Sequence, residues 1–108
     1  MTLRALFATT ALLATQAMAQ TAYPSKPVTL VVPFPPGGSS DTIARSIGAK
    51  MQEKLGQPVV VENKGGATGT IGAGQVKRAA PDGYTLLVSS LGPFVIAPHL
   101  IKNVPYDA

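Results

Sequence analysis

Three short apolar segments, each followed by a loop of glycine, proline or hydroxyl residues, constrain this sequence most. The segments Val28–Val32, Val59–Asn63 and Tyr84–Ser89 are rich in β-branched and aliphatic residues, which favour strands. The two segments between them have helical character, so the order is strand, helix, strand, helix, strand. Right-handed crossovers then place the strands side by side and parallel. The sequence therefore predicts an α/β fold, a parallel sheet flanked by helices.

The two helices are delimited by capping residues. Ser39 or Ser40 suits the N-cap of the first helix, and Gly56 suits the position just after its end. Apolar residues recur at every fourth position of this helix and predict an apolar face: Ile43, Ile47, Met51 and Leu55, with Ala44 beside them. Thr70 is the expected cap of the second helix, which runs to about Ala79 although two internal glycines weaken it.

All three loops follow strands, so we expect them to meet at one edge of the sheet. They are the first loop (residues 33–41), the second loop (residues 64–70) and the third loop (residues 89–93). Ligands of such sheets bind outside the carboxyl ends of the strands. Free N–H groups at helix starts, glycines that allow close approach, and hydroxyl groups suit an anion, of which a carboxylate is the simplest. The alternative is that these residues only cap helices and form turns.

Asp41 has two interpretations. It falls in the first turn of the first helix, where a carboxylate interacts favourably with the helix dipole. In the other interpretation it is a counter-charge for an ammonium or hydroxyl group of the ligand. The sequence leaves both open.

Composition and motifs exclude several other classes of protein. The chain of 108 residues has no cysteine and one histidine, so neither a disulfide framework nor an ordinary zinc site is expected. P-loop, dinucleotide-binding and nucleophile-elbow motifs are missing from the sequence. The net charge of +4 comes from scattered cations without interleaved aromatic residues, which does not predict nucleic-acid binding. His99 is expected to be a surface or packing residue, and no base lies near Ser39 or Ser40 in sequence to support nucleophilic catalysis.

Residues 1–19 have the pattern of a secretory signal peptide. Arg4 precedes an apolar run, Ala5–Ala14, that is too short to cross a bilayer. Ala17-Met18-Ala19 is the small-x-small pattern that signal peptidase cleaves. We therefore expect cleavage after Ala19 and export of residues 20–108, and without a cysteine no lipid anchor is expected.

The mature segment resembles the Bug family, the periplasmic solute receptors of tripartite tricarboxylate transporters. The resemblance rests on several blocks that occur in the family's order and spacing. They are YPSKPVTLVVPFPPGGSSD (23–41), GQPVVVENK (56–64), GATGTIGA (66–73) and APDGYTLL (80–87), then Pro98-His99-Leu100 and Pro105-Tyr106-Asp107.

The resemblance implies a type II periplasmic binding protein fold, in which two α/β lobes close on a small carboxylate. The loaded receptor would deliver this ligand to membrane permease subunits. Residues 20–108 would form the N-terminal part of lobe 1, and we interpret the chain as a fragment. The implied receptor is a monomer that catalyses no reaction and needs no cofactor or metal. It binds no nucleic acid and does not insert in the membrane after signal cleavage. An exported sensor lobe and an exported α/β enzyme are the alternatives.

The resemblance also implies which residues bind the ligand. In the family, the loops after the first and second strands grip a ligand carboxylate, partly through ordered waters. The expected ligand-binding residues here are Phe34, Pro36, Gly37, Gly38, Ser39, Ser40, Asp41, Gly66, Ala67, Thr68, Gly69, Thr70, Ser89 and Ser90. Two positions depart from the family pattern, because Gly65 stands where a proline is common and Ser90-Leu91-Gly92 offers fewer side-chain amides than many relatives.

Overall fold

The computed structural model describes residues 22–108, in which three parallel strands form one sheet. The strands are β1 (Val28–Val32), β2 (Val59–Asn63) and β3 (Thr85–Leu87), and their order across the sheet is β2-β1-β3. The expected α/β fold with a parallel sheet is therefore confirmed. The predicted signal peptide and its cleavage site lie outside the described residues.

Three α-helices accompany the sheet: α1 (Ser39–Leu55), α2 (Thr70–Arg78) and α3 (Ala97–Leu100). A 3-10 turn at Ala67–Gly69 leads into α2, and a π-helical turn at Gly92–Ile96 leads into α3. In this part of the chain, none of the helices has the length and apolar character needed to cross a membrane.

The core lies on β1, the central strand. β2 pairs with one edge of β1 and β3 with the other, so that Leu30 lies opposite both Val61 and Leu86. Burial on both faces explains why this strand is an almost continuous apolar run. The side chains that are at most 1% exposed on it are Val28, Leu30, Val31 and Val32.

Helix α1 packs on the sheet through small residues, not through the apolar face predicted from the sequence. Ala44 and Gly48 are buried, and a Cβ atom at Gly48 would lie 3.4 Å from Leu30 Cδ1. Ile43 and Ile47 belong to the predicted apolar face but are 53% and 46% exposed, so this row of residues does not pack on the sheet, whereas Ala44 beside it does. A strict four-residue spacing turns by about 40° at each step around an α-helix, so such a row leaves the buried side.

The segment before β1 is fastened to the turn before β3. The Tyr23 hydroxyl donates to the Gly83 carbonyl, and the Ser25 N–H donates to the Tyr84 hydroxyl at 2.8 Å. The Tyr23 and Tyr84 rings also pack with centroids 5.0 Å apart. These contacts join the start of the described chain to the turn that precedes β3, about sixty residues later.

Strand β3 is shorter than the predicted segment Tyr84–Ser89. Its ladder covers Thr85–Leu87, although the Val88 N–H still donates to the Val31 carbonyl at 2.9 Å. The chain leaves the sheet at Ser89, where the third loop begins. The carboxyl end of β3 therefore lies beside that of β1.

Candidate functional site

The structure brings the first and third loops together around a cleft of about 200 Å³ at the carboxyl edge of the sheet. The first loop contributes an aromatic ring, glycine backbone and two hydroxyl groups, and the third loop contributes another hydroxyl. The lining residues are Phe34, Gly38, Ser39, Ser40 and Ser90. Hydroxyl groups and backbone N–H groups are neutral donors that can bind a carboxylate oxygen.

The start of α1 faces this cleft without a serine cap. Gly38 occupies the N-cap position in an extended conformation, and no side chain caps the helix there. The prediction that Ser39 or Ser40 is the N-cap is therefore wrong. Asp41 fills a related role because its Oδ2 atom accepts the Gly37 N–H at 2.9 Å, just before the helix begins. The two serine hydroxyls are thereby left to line the cleft.

Asp41 is buried among internal partners. Its Oδ2 atom also accepts from Arg45 Nε at 3.1 Å, and its Oδ1 atom accepts from Asn63 Nδ2 at 3.0 Å. Bonds from Arg45, the Gly37 N–H and Asn63 lower the pKa of Asp41 from 3.8 to about 2, against the opposing effect of burial. This arrangement favours a structural role for Asp41 over a counter-charge for the ligand.

Sequence reasoning missed the roles of Arg45 and Asn63 in this part of the molecule. Arg45 lies four residues after Asp41 on α1, a spacing that places opposite charges side by side, so it could have been found. Asn63 is the last residue of β2, and its Nδ2 atom also donates to the Phe34 carbonyl at 3.3 Å. Only the pairing of β2 with β1 brings these distant residues together.

The second loop has a left-handed backbone. Ala67 and Thr68 have φ of 48° and 57°, which is rare for a β-branched residue such as Thr68. Gly69, not Thr70, is the N-cap of α2, so the predicted cap is wrong. The Thr70 hydroxyl instead donates to the Ala67 carbonyl at 2.8 Å and closes the turn on itself.

The second loop contacts the other two loops by close packing. A Cβ atom at Gly69 would lie 2.5 Å from Pro93 Cγ and 3.4 Å from the Phe34 ring. A Cβ atom at Gly72, in the first turn of α2, would lie 2.8 Å from Pro33 Cα and 2.9 Å from the Lys64 carbonyl oxygen. The second loop therefore supports the cleft from behind, whereas the lining comes from the first and third loops.

The third loop is held by a buried tyrosine that the sequence reasoning named only within a family block. The Tyr106 hydroxyl donates to the Pro93 carbonyl, and its ring packs on Phe94 with centroids 5.4 Å apart. Burial raises the pKa of Tyr106, which keeps the hydroxyl protonated as a donor. The Ser89 hydroxyl points within the loop, toward the Ser90 carbonyl, and does not line the cleft.

The electrostatics of the cleft come from neutral dipoles. Arg45 is paired with Asp41, and Lys64 Nζ lies 3.1 Å from Glu62 Oε1, so both cations have carboxylate partners. The lining residues carry no formal charge. Within residues 22–108 no cluster of histidine, aspartate and glutamate could hold a metal ion.

Comparison with known proteins gives one consistent result. The family described as the tripartite tricarboxylate transporter family receptor matches residues 43–108. The protein BugT of Bordetella pertussis strain Tohama I is 46% identical over 102 residues, which cover 94% of this chain and 31% of BugT.

Two solved structures are similar in both sequence and fold. The periplasmic binding protein BugD is 52% identical with a TM-score of 0.70, over 79% of this chain and 28% of BugD. MatC from Rhodopseudomonas palustris with bound malate is 48% identical with a TM-score of 0.74, over 79% of this chain and 29% of MatC. The chain thus spans between a quarter and a third of the length of these relatives.

Proposed function

Because the chain belongs to the tripartite tricarboxylate transporter receptor family, we propose that it forms part of a periplasmic receptor for a small organic carboxylate. The receptor passes its ligand to permease subunits of the transporter and acts as a monomer. One observation carries the proposal: neutral donors line a cleft at the carboxyl edge of the sheet, in a chain whose relative MatC has malate bound.

The domain assignment is part of the same proposal. Residues 1–19 are a signal peptide cleaved after Ala19, and residues 20–108 are the N-terminal part of lobe 1. The similarity to the periplasmic binding protein BugD supports this location. Amino-terminal sequencing of the protein recovered from the periplasm tests it, and a first residue other than Gln20 would contradict the cleavage site.

The ligand carboxylate binds against the start of α1 in this proposal. The hydroxyls of Ser39, Ser40 and Ser90 and the N–H groups after Gly38 donate to its oxygens, while the Phe34 ring contacts its carbon chain. The second loop, Gly66, Ala67, Thr68, Gly69 and Thr70, contributes by packing behind the residues that carry these donors. The remaining predicted residues set the backbone geometry of the loops that carry these donors; they are Pro36, Gly37, Asp41 and Ser89.

Receptor action without chemistry follows from the same lining. Phenylalanine, glycine and serine offer donors and an apolar surface but no general base for a serine nucleophile. The matching family is described as a receptor family, and the relative BugD is a periplasmic binding protein. Malate added to the protein should therefore remain chemically unchanged over hours, and its conversion to another compound would support the exported enzyme instead.

The direct test is a nuclear magnetic resonance titration of the isotope-labelled whole receptor with both lobes, because residues 20–108 form only part of lobe 1 in this proposal. Malate, citrate, aspartate and benzoate are the probes, and dimethyl malate is the control without free carboxylates. We expect a carboxylate to shift the amide signals of Gly38, Ser39, Ser40 and Ser90, which the diester leaves in place. Failure of every carboxylate to shift these signals would overturn the proposal.

A variant at Gly38 sharpens this test. A Cβ atom there meets nothing closer than the Pro35 carbonyl oxygen at 3.9 Å, and the backbone is extended, so a side chain fits the fold. Gly38→Val should lower the melting temperature by only a few degrees, because valine is a poorer N-cap than glycine, but it should abolish the malate shifts because the isopropyl group occupies the cleft. Unchanged malate shifts in this variant would show that the first loop is only structural.

A further inference from the structure

Asn63, Asp41 and Arg45 form a closed ring in which each side chain is hydrogen-bonded to the other two. Asn63 Nδ2 donates to Asp41 Oδ1 at 3.0 Å, and Arg45 Nε donates to Asp41 Oδ2 at 3.1 Å. Arg45 Nη2 donates to Asn63 Oδ1 at 3.3 Å and completes the ring. The ring lies beside the cleft, and none of its members lines it.

The ring holds the backbone of the first loop at two points. Asn63 Nδ2 donates to the Phe34 carbonyl at 3.3 Å, and Asp41 Oδ2 accepts the Gly37 N–H at 2.9 Å. Residues 35–38 between and beside these points are exposed and have little packing of their own. Gly37 has φ of +93°, and because glycine adopts both positive and negative φ readily, this residue does not by itself fix the loop in one geometry.

The amide of Asn63 supplies both donors and an acceptor. Its amide nitrogen serves two acceptors, the Phe34 carbonyl and the Asp41 carboxylate, while its oxygen accepts from Arg45. An ionised aspartate of the same shape could keep only the bond from Arg45, since a carboxylate has no donor. Asp41 is 4% exposed, so loss of one of its partners would be felt strongly.

We propose that Asn63 is a positioning residue of the ligand site, whose amide joins the end of β2 to the first loop and holds Phe34–Gly38 in the geometry that the ligand meets. This inference rests on the receptor function proposed above. Asn63 acts on the ligand only through the loop, and the charge of Arg45 is satisfied within the ring.

The test is Asn63→Asp, studied in the whole receptor with both lobes by malate titration and by hydrogen exchange of the Gly37 N–H. At about pH 7.5 we expect roughly a tenfold weaker malate affinity and faster Gly37 exchange, since the loop loses its amide donor. As the pH falls, one proton shared by the adjacent carboxylates at 41 and 63, with Arg45 as the facing cation, restores a donor. The ratio of variant to wild-type Kd should then fall toward one, and this ratio cancels the titration of malate itself.

Gln75→Glu is the matched control. Gln75 Nε2 donates to Glu62 Oε2 at 3.4 Å, so the change also places an acid beside an acid, but away from the first loop. It should leave malate affinity and Gly37 exchange unchanged. Asn63→Ser, which introduces a neutral residue with one donor, is a second test in case the aspartate variant does not fold. It should give an intermediate loss of malate affinity without pH dependence.

Each outcome separates the two proposals. Unchanged malate affinity and Gly37 exchange in Asn63→Asp would overturn the positioning role, and so would an equal loss in Gln75→Glu or a loss that persists at low pH. Hydrogen exchange of the Gly37 N–H needs no ligand, so its rate tests whether Asn63 holds the loop even if the wild-type protein does not bind malate. Absence of malate binding by the wild type would then contradict the receptor function without contradicting the positioning role of Asn63.

Discussion

The first loop is held by hydrogen bonds from side chains, whereas the second loop is held by close packing. Asp41 and Asn63 bind the backbone of the first loop at Gly37 and Phe34. The second loop instead places Gly69 against the Pro93 ring, at a distance that leaves no room for a side chain. Both loops follow neighbouring parallel strands, yet they depend on different properties of the residues around them.

The two loops should therefore be sensitive to different kinds of substitution. A loop held by a carboxylate and an amide responds to changes of charge, protonation and donor number. A loop held by packing responds to added volume and is indifferent to pH. This contrast matches their positions, because the first loop lines the cleft and the second supports it from behind.

The largest effect is expected from Gly72→Ala, which tests the packed side of the comparison. The new methyl group would clash with Pro33 Cα and the Lys64 carbonyl oxygen, backbone atoms that cannot turn away. Overpacking of this kind lowers the free energy of unfolding by about 1–3 kcal/mol, which urea denaturation measures.

Gly48→Ala in α1 is the control for that change. Its methyl group would meet Leu30 Cδ1 and Val59 Cγ1 at 3.4 Å, an ordinary contact distance. Because alanine favours a helix by about 1 kcal/mol over glycine, this variant should be neutral or slightly more stable. Equal destabilisation by both variants would show that packing around the second loop is not special.

A smaller effect, dependent on pH, is expected from Asp41→Asn on the hydrogen-bonded side. The folded pKa of Asp41, about 2, lies below its ordinary value of 3.8, so its ionised form stabilises the fold above about pH 4. That contribution is lost as the pH falls through 2. The melting temperature of the variant should therefore lie below that of the wild type near neutral pH, and the gap should narrow in acid. A gap independent of pH down to 2 would contradict this account.

The smallest effect is expected from Arg45→Lys. The Arg45 side chain is 55% exposed, and solvent weakens such ion pairs, so the loss of stability should stay below about 1 kcal/mol. The exposed pair of Lys50 and Glu53 serves as a reference, and Lys50→Met should have no measurable effect. If Arg45→Lys lowered the free energy of unfolding as much as Gly72→Ala, it would contradict the expectation that packing contributes more to stability here than an exposed ion pair.

The sequence predicted the parts of the fold that depend on local pattern. The apolar run of β1 and the order of strands and helices followed from residue types, and the structure confirms them. The face of α1 was predicted only in part: Ala44 is buried as part of the contact with the sheet, but four-residue spacing gave weight to the exposed Ile43 and Ile47 and missed Gly48.

The contacts that shape the candidate site depend on the sheet register, which local sequence does not reveal. Asn63 reaches the Phe34 carbonyl because the ladder pairs Val32 with Asn63 at the ends of their strands. The cap at α1 was misassigned for a related reason, since serine propensity favours Ser39 or Ser40 while the Asp41 side chain reaches back to Gly37. Such contacts become visible only once the chain is folded.

The central place of β1 has a consequence for the newly made chain. Synthesis proceeds from the amino terminus, so this strand exists before either of its neighbours, which begin at Val59 and Thr85. Until then its apolar side chains and both of its hydrogen-bonding edges are open, the condition under which strands join other molecules and aggregate. The segment that stabilises the finished sheet is therefore the one most in need of protection by a chaperone during biosynthesis.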